Sequence, residues 1–119
     1  MKDFKDLKVW EKSHQLTLKI YQVTANFPQD EIYGLRSQIR RACVSIPTNI
    51  AEGCGRPGDA DFGRFLGIAM GSASELEYLL LLSKDLNFID ESDYNVLNSE
   101  VIEIKKMLGS FITKIKIRL

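Results

Sequence analysis

Apolar residues recur along this chain in steps of three and four, in four runs separated by short breaks. From about residue 6 to 26, Leu7, Trp10, His14, Leu18, Tyr21 and Ala25 share one helical stripe, widened by Val9, Leu16, Ile20 and Val23. Asp6 stands where a cap belongs, and Phe27-Pro28 where a helix must stop. So wide a stripe predicts burial on more than one side, by a tightly wrapped bundle or by a second subunit. The second run, 31 to 55, opens on Asp30 and Glu31, acids suited to the positive end of a helix dipole. Leu35, Ile39, Ala42 with Cys43, Ile46, Ile50 and Gly53 form its apolar stripe. Pro47 removes a backbone donor within it and predicts a bend, and Gly53, Gly55, Pro57 and Gly58 close it.

The third run, 60 to 86, starts after Asp59 or Asp61 and carries a regular seam of Phe62, Leu66, Ala69, Ala73, Leu76 and Leu80. Gly67, Gly71, Ser72 and Ser74 add small residues, and each helix-interior glycine costs roughly 1 kcal/mol relative to alanine. That cost predicts a neighbouring backbone packed close. Asn87 to Ile89 ends the run. The fourth, 91 to 117, has Asp90 as cap with Asp93 three residues on, and a seam of Tyr94, Leu97, Val101, Ile104, Leu108, Phe111 and Ile115. Four helices of about 20 to 27 residues joined by short links predict an all-α fold, an antiparallel up-down-up-down four-helix bundle over a single domain, 1–119. No strand pattern competes, since Ile112 to Leu119 alternates briefly but continues a helical seam.

Composition adds bounds rather than a function. With 45% hydrophobic and 27% charged residues the chain reads as a soluble globular domain. No targeting segment is expected, and the longest apolar stretch, Leu79 to Leu82, is far short of the ~20 residues of a membrane span. Cys43 and Cys54 fall on one predicted helix, roughly 16 Å apart at 1.5 Å per residue, too far for a disulfide. Both read as small core residues, consistent with a reducing cytoplasmic location and no membrane.

Candidate chemistry fails on context. Glu11-Lys-Ser-His14 has the spacing of a di-iron bundle motif, but His14 is the only histidine, and such a site needs a second motif. Gly53-Cys-Gly-Arg-Pro-Gly58 matches a dinucleotide fingerprint in form, yet it follows a helix and places Pro57 in the phosphate turn. Cys43, Cys54 and Ser45 lack a base at helical spacing, and Glu75 and Glu77 point in different directions. The expectation is a protein without catalytic residues, metal or cofactor: not an enzyme.

Sixteen basic and sixteen acidic residues cancel, so only their distribution can be informative. Residues 59 to 88 carry a net charge of −3, whereas 28 to 58 carry four arginines against three acids. The candidate partner surface comprises Arg36, Arg40, Arg41 and Arg56, with Lys105, Lys106, Lys114, Lys116 and Arg118 near the chain's end. Two structural readings stand beside it. The terminal bases answer a helix dipole, and Arg41 or Arg56 pairs with Glu52, Glu75 or Glu77. The second helix also has a polar stripe of Gln38, Arg41, Ser45, Asn49, Glu52 and Arg56, whose Ser and Asn are poor helix formers, pointing to a subunit contact or partner surface.

Several stretches carry a specific likeness: Val9-Trp10; Phe27-Pro28 ahead of Glu31-Ile-Tyr-Gly-Leu35; Gln38-Ile-Arg-Arg-Ala42; Ser45-Ile-Pro-Thr-Asn-Ile-Ala-Glu-Gly53 with Arg56; Phe62 with Phe65-Leu66; and Ala69-Met-Gly-Ser-Ala-Ser-Glu75-Leu-Glu77. In this order they resemble the bacterial four-helix-bundle family encoded in intervening sequences of 23S ribosomal RNA genes, which is related to the accessory variability protein of diversity-generating retroelements. The resemblance covers nearly the whole chain and is weakest in the fourth helix. It implies a ring-shaped homopentamer with no established catalytic activity and a contact with RNA or DNA. Its motif positions here are Gln38, Arg40, Arg41, Ser45, Asn49, Glu52, Gly53, Arg56, Gly71, Ser72 and Glu75. The expected function is therefore a non-enzymatic oligomeric module that binds nucleic acid. The alternative is a protein-binding adaptor or structural ring, for example accessory to a reverse transcriptase, without direct nucleic-acid contact.

Overall fold

Four helices account for most of residues 3–119, the part of the chain that the computed structural model describes. They are α1 (Lys8–Thr24), α2 (Leu35–Cys54), α3 (Asp59–Asp85) and α4 (Glu91–Arg118), with single 3-10 turns at Phe4–Asp6 and Gln29–Glu31. Side-chain contacts fix the direction of each neighbouring pair. Arg40 reaches Thr24 while Cys43 reaches Thr17, so α2 descends as α1 ascends. Ser45 meets Ser72 while Gly53 meets Phe62, Glu77 meets Lys105 while Asp59 meets Arg118, and Lys12 meets Glu103 while Lys19 meets Glu100. Every adjacent pair is antiparallel, and α4 returns to α1: an all-α, up-down-up-down four-helix bundle of 45 × 22 × 20 Å.

The helix ends show where sequence signals act. Asp90 caps α4, its carboxylate accepting from the Asp93 N–H at 2.7 Å. Asn87 ends α3 in the left-handed region, φ 64°, and Phe88 N–H closes onto Ser83 O at 2.8 Å, the ring of a Schellman motif. Two helices begin later than their acids predict. Asp6 lies in the first 3-10 turn, and α1 starts after Leu7 with no side-chain cap. Glu31 likewise sits in a turn and acts from there, its Oε1 accepting from Leu35 N–H at 2.9 Å across Gly34. α2 continues as α-helix through Pro47, which is buried.

Most apolar seams pack as their spacing predicts. All seven positions of the α2 stripe and all six of the α3 seam are buried; in α4, Tyr94 and Phe111 are half-buried and the other five are fully so. The exception is α1. Its buried face is Val9, Ser13, Leu16, Ile20 and Thr24, while Leu18 is 47% and Tyr21 42% exposed. The predicted stripe through residues 7, 10, 14, 18, 21 and 25 is rotated from the true one because two of the inward positions are hydroxyl residues. Ser13 donates to Trp10 O at 2.9 Å and Thr24 to Ile20 O at 2.7 Å. Bonded back to their own helix, they enter the core as small apolar groups.

The close helix approach predicted at Gly67 and Gly71 lies elsewhere within this chain. A Cβ added at either would meet nothing within 4 Å, whereas one at Gly53 would lie 2.9 Å from both Phe62 Cδ1 and Phe65 Cβ. Gly53 lets α2 press against α3; Gly67 and Gly71 face outward among the exposed Ile68, Tyr78 and Leu81. α3 is also the one helix among the described residues long and apolar enough to cross a membrane. Its apolar content divides between the core seam and this outward stripe. Gly53→Ala is expected to lower stability by about 1–3 kcal/mol, the usual cost of overpacking, and Gly67→Ala to leave the isolated chain's stability equal or higher; denaturant unfolding at low protein concentration measures both.

Candidate nucleic-acid interface

Along the outward side of α2 runs an open groove of about 640 Å³, bounded by Tyr21 of α1, by Ile32 and Tyr33 of the turn before α2, and by α2 from Arg36 to Asn49. The buried stripe of α2 turns the remaining residues outward at helical spacing, so Arg36, Arg40 and Arg41 line the groove together with Ser37, Val44 and Thr48. No Asp or Glu lines it.

These arginines divide by partner. Arg40 is a structural tie: its Nε donates to Thr24 Oγ1 at 2.9 Å and its Nη2 to Tyr21 O at 3.1 Å, with the guanidinium 4.3 Å from the centre of the Tyr21 ring. Tyr21 O is among the last carbonyls of α1, so Arg40 also answers the negative end of that helix's dipole. Arg36 and Arg41 have no hydrogen-bond or ion-pair partner among the described residues.

The other basic candidates do not join this groove. Arg56 belongs to the α2–α3 corner, where it and Arg64 lie over the Phe65 ring at 4.9 and 4.5 Å. Arg56 approaches Asp61 at 3.8 Å and Glu52 at 3.9 Å, the second being one of the pairings the sequence suggested, while Arg64 holds Asp61 at 3.0 Å. Lys105 pairs with Glu77 at 2.8 Å, and Arg118 donates from Nε and Nη2 to Asp59 Oδ2 at 3.0 and 2.7 Å. Lys106, Lys114 and Lys116 are exposed and unpaired. Lys114 and Lys116 lie toward the end of the bundle where α4 finishes beside Asp59, opposite the end that Arg36 and Arg40 occupy.

Within the polar stripe of α2, Ser45 ties α2 to α3 and Asn49 braces Ser45. Ser45 and Ser72 hydroxyls meet at 2.8 Å, and Asn49 Nδ2 donates to Ser45 Oγ at 2.9 Å and to Ser45 O at 2.8 Å. This explains residues with poor helix propensity at these positions. Gln38 and Glu75 are exposed without a partner, Gly71 faces open space, and Gly53 is enclosed by Phe62 and Phe65. His14 stacks on Trp10 at 5.0 Å, while Glu11 Oε1 accepts from Gln15, so the motif Glu11 to His14 does not converge on a common point. No group of three or more metal-ligating side chains occurs among the described residues. Cys43 is buried beside Thr17, and burial pushes its thiol up to about 11, which keeps it protonated and poorly nucleophilic.

Sequence reasoning missed Tyr21, Ile32, Tyr33 and Val44 as groove residues. Tyr33 was within reach, lying inside the Glu31-Ile-Tyr-Gly motif; Tyr21 was assigned to the core.

Fold and surface together define a class: a helical bundle with an open basic groove on one face. The chain belongs to the 23S rRNA-intervening sequence protein family, whose model matches residues 5–110. It is similar, at 31% identity and a TM-score of 0.82, to the solved structure of a protein of unknown function from the S23 ribosomal protein family of Bacteroides thetaiotaomicron VPI-5482. That similarity covers 87% of this chain and 97% of the other. No curated protein matches. The division among the arginines has a measurable consequence: Arg40→Ala should cost about 1–3 kcal/mol of stability through two lost hydrogen bonds and a lost ring contact, whereas Arg36→Ala and Arg41→Ala should stay within about 0.5 kcal/mol of wild type in denaturant unfolding.

Proposed function

We propose that this chain is a non-catalytic module that assembles with copies of itself and holds nucleic acid on the outer groove of α2. The observation that carries the binding half is the unpaired state of Arg36 and Arg41 in a groove with no acidic lining. Two cations left without internal partners are available to phosphates, and neither must give up a structural contact to bind them.

The assembly half rests on the outward face of α3. Gly67 and Gly71 each reduce helix stability by about 1 kcal/mol relative to alanine, and nothing inside the chain makes use of the space they leave. With Ile68, Tyr78 and Leu81 beside them, they form an apolar stripe suited to a second helix at close range. Contact between this face and a different face of the next copy closes a ring, five copies being the number the family resemblance implies.

Two experiments test the halves separately. A labelled structured RNA should bind wild type with an affinity that falls steeply with salt, and Arg36→Ala/Arg41→Ala should reduce the slope of log affinity against log salt by about 2, one per phosphate contact. Absence of binding at low salt sinks the nucleic-acid half; a nuclease-resistant protein partner recovered in its place would support the adaptor alternative. Light scattering at micromolar concentration should report several copies for wild type and a single one for Gly71→Arg, at an exposed position where an added Cβ meets nothing within 4 Å. A monomeric wild type refutes assembly.

A further inference from the structure

Tyr33 is 96% exposed, a higher value than for any other large hydrophobic side chain of the described residues. It stands at the mouth of the α2 groove, three residues before Arg36, in the turn that Glu31 fastens to the start of α2. An aromatic ring held in water beside unpaired cations needs a partner that brings both a flat apolar face and negative charge. Carboxylates alone satisfy the cations and leave the ring in water. The outside of a duplex does likewise, because its base faces are hidden in the stack and only phosphates and groove edges are presented. A single strand offers both groups at every nucleotide.

We infer that the groove is a single-strand site, in which a base stacks on Tyr33 while Arg36 and Arg41 hold the phosphates of the same strand. This rests on the nucleic-acid reading above and narrows it to a class of target. Arg36 and Arg41 are separated by about 7–8 Å of rise and about 140° around α2, so they flank the groove, with Ser37, Val44 and Thr48 between them. Tyr21, clamped under the Arg40 guanidinium, forms a fixed wall of the groove, and the exposed Ser37 and Thr48 place hydroxyls along its floor. The groove lies within the usual range of ligand sites, about 300–1,000 Å³, and is open along its length rather than closed over, as a passing strand requires. Because stacking is tolerant of base identity, the site should have weak sequence preference.

The test compares a short labelled oligouridine, an RNA duplex of the same length, and polyglutamate as competitor, by fluorescence anisotropy at low salt. Wild type should bind the single strand at least about 10-fold tighter than the duplex. Tyr33→Ala should weaken single-strand binding by roughly 5- to 100-fold, the span of base–aromatic stacking, Tyr33→Phe should restore it, and duplex binding should be the same in all three. Tyr33 is in solvent, so neither substitution threatens the fold. Equal affinity for both RNAs with no effect of Tyr33→Ala would overturn the single-strand site while leaving nucleic-acid binding through Arg36 and Arg41 intact. Displacement of the oligouridine by polyglutamate at equal charge would overturn it in favour of an acidic peptide. Binding of neither RNA would remove this inference together with the broader reading.

Discussion

The approach of α2 to α3 at Gly53 is the constraint on which the rest of this bundle depends. With Phe62 Cδ1 and Phe65 Cβ each 2.9 Å from where a Cβ would be, no other residue fits there without displacing the Phe62 ring and pushing α3 away at Phe65. Phe62 in turn stacks edge-on against Phe111 of α4 at 5.3 Å, so the position of α2 is transmitted through α3 to the fourth helix. Two turns away on the same seam, the Ser45–Ser72 contact fixes the rotation of α2 about its own axis. Contact at Gly53 sets distance and contact at Ser45 sets orientation, and between them they determine which residues of α2 face water.

That orientation sorts the arginines. With Ile39, Ile46 and Ile50 turned inward, Arg40 falls on the side facing α1 and becomes a tie to Tyr21 and Thr24. Arg41, about 100° further round the helix, is exposed, and Arg36, half-buried one turn before Arg40, meets no hydrogen-bond or ion-pair partner among the described residues. The same logic applies to α4. Lys105 faces α3 and pairs with Glu77, whereas Lys106, one residue on and about 100° around the helix, is left in solvent. Proximity in sequence therefore says little about shared role. Arg40 and Lys105 are structural because they point along a seam, Arg41 and Lys106 are available because they point outward, and Arg36 shares the side of Arg40 without meeting a partner there.

How far the sequence could be read follows from the same geometry. The α2, α3 and α4 seams were legible because their inward positions are apolar apart from Ser83 near the end of α3, and spacing alone locates such a face. α1 was not, because Ser13 and Thr24 occupy inward positions and satisfy their hydroxyls on their own helix, a solution invisible to a pattern of hydrophobicity. Leu18 and Tyr21 consequently looked like core. The acids before α1 and α2 were recognisable as start signals, but their offset was not, since a 3-10 turn intervenes in each case. The unusual polar composition of residues 38 to 56 was legible as a sign of selection for something besides helix formation. Its explanation, a hydroxyl contact to a helix 27 residues further along, requires the tertiary structure.

The two outward faces that remain are not independent surfaces. Because α2 and α3 are antiparallel and joined at Ser45 and Ser72, Arg41 lies about one turn before the junction on α2 and Glu75 about one turn after it on α3, on the same stretch of the bundle. They make no ion pair there, so each keeps its charge for a group outside the chain. A copy seated on Gly67 and Gly71 would sit beside Glu75 and come to the edge of the groove at Arg41. On the proposed assembly through α3, that copy would form a wall along the open side of the α2 groove, and a strand bound there would touch two copies. On that proposal binding and assembly would be coupled with the same sign, an occupied groove favouring the neighbouring contact and the contact in turn favouring occupancy.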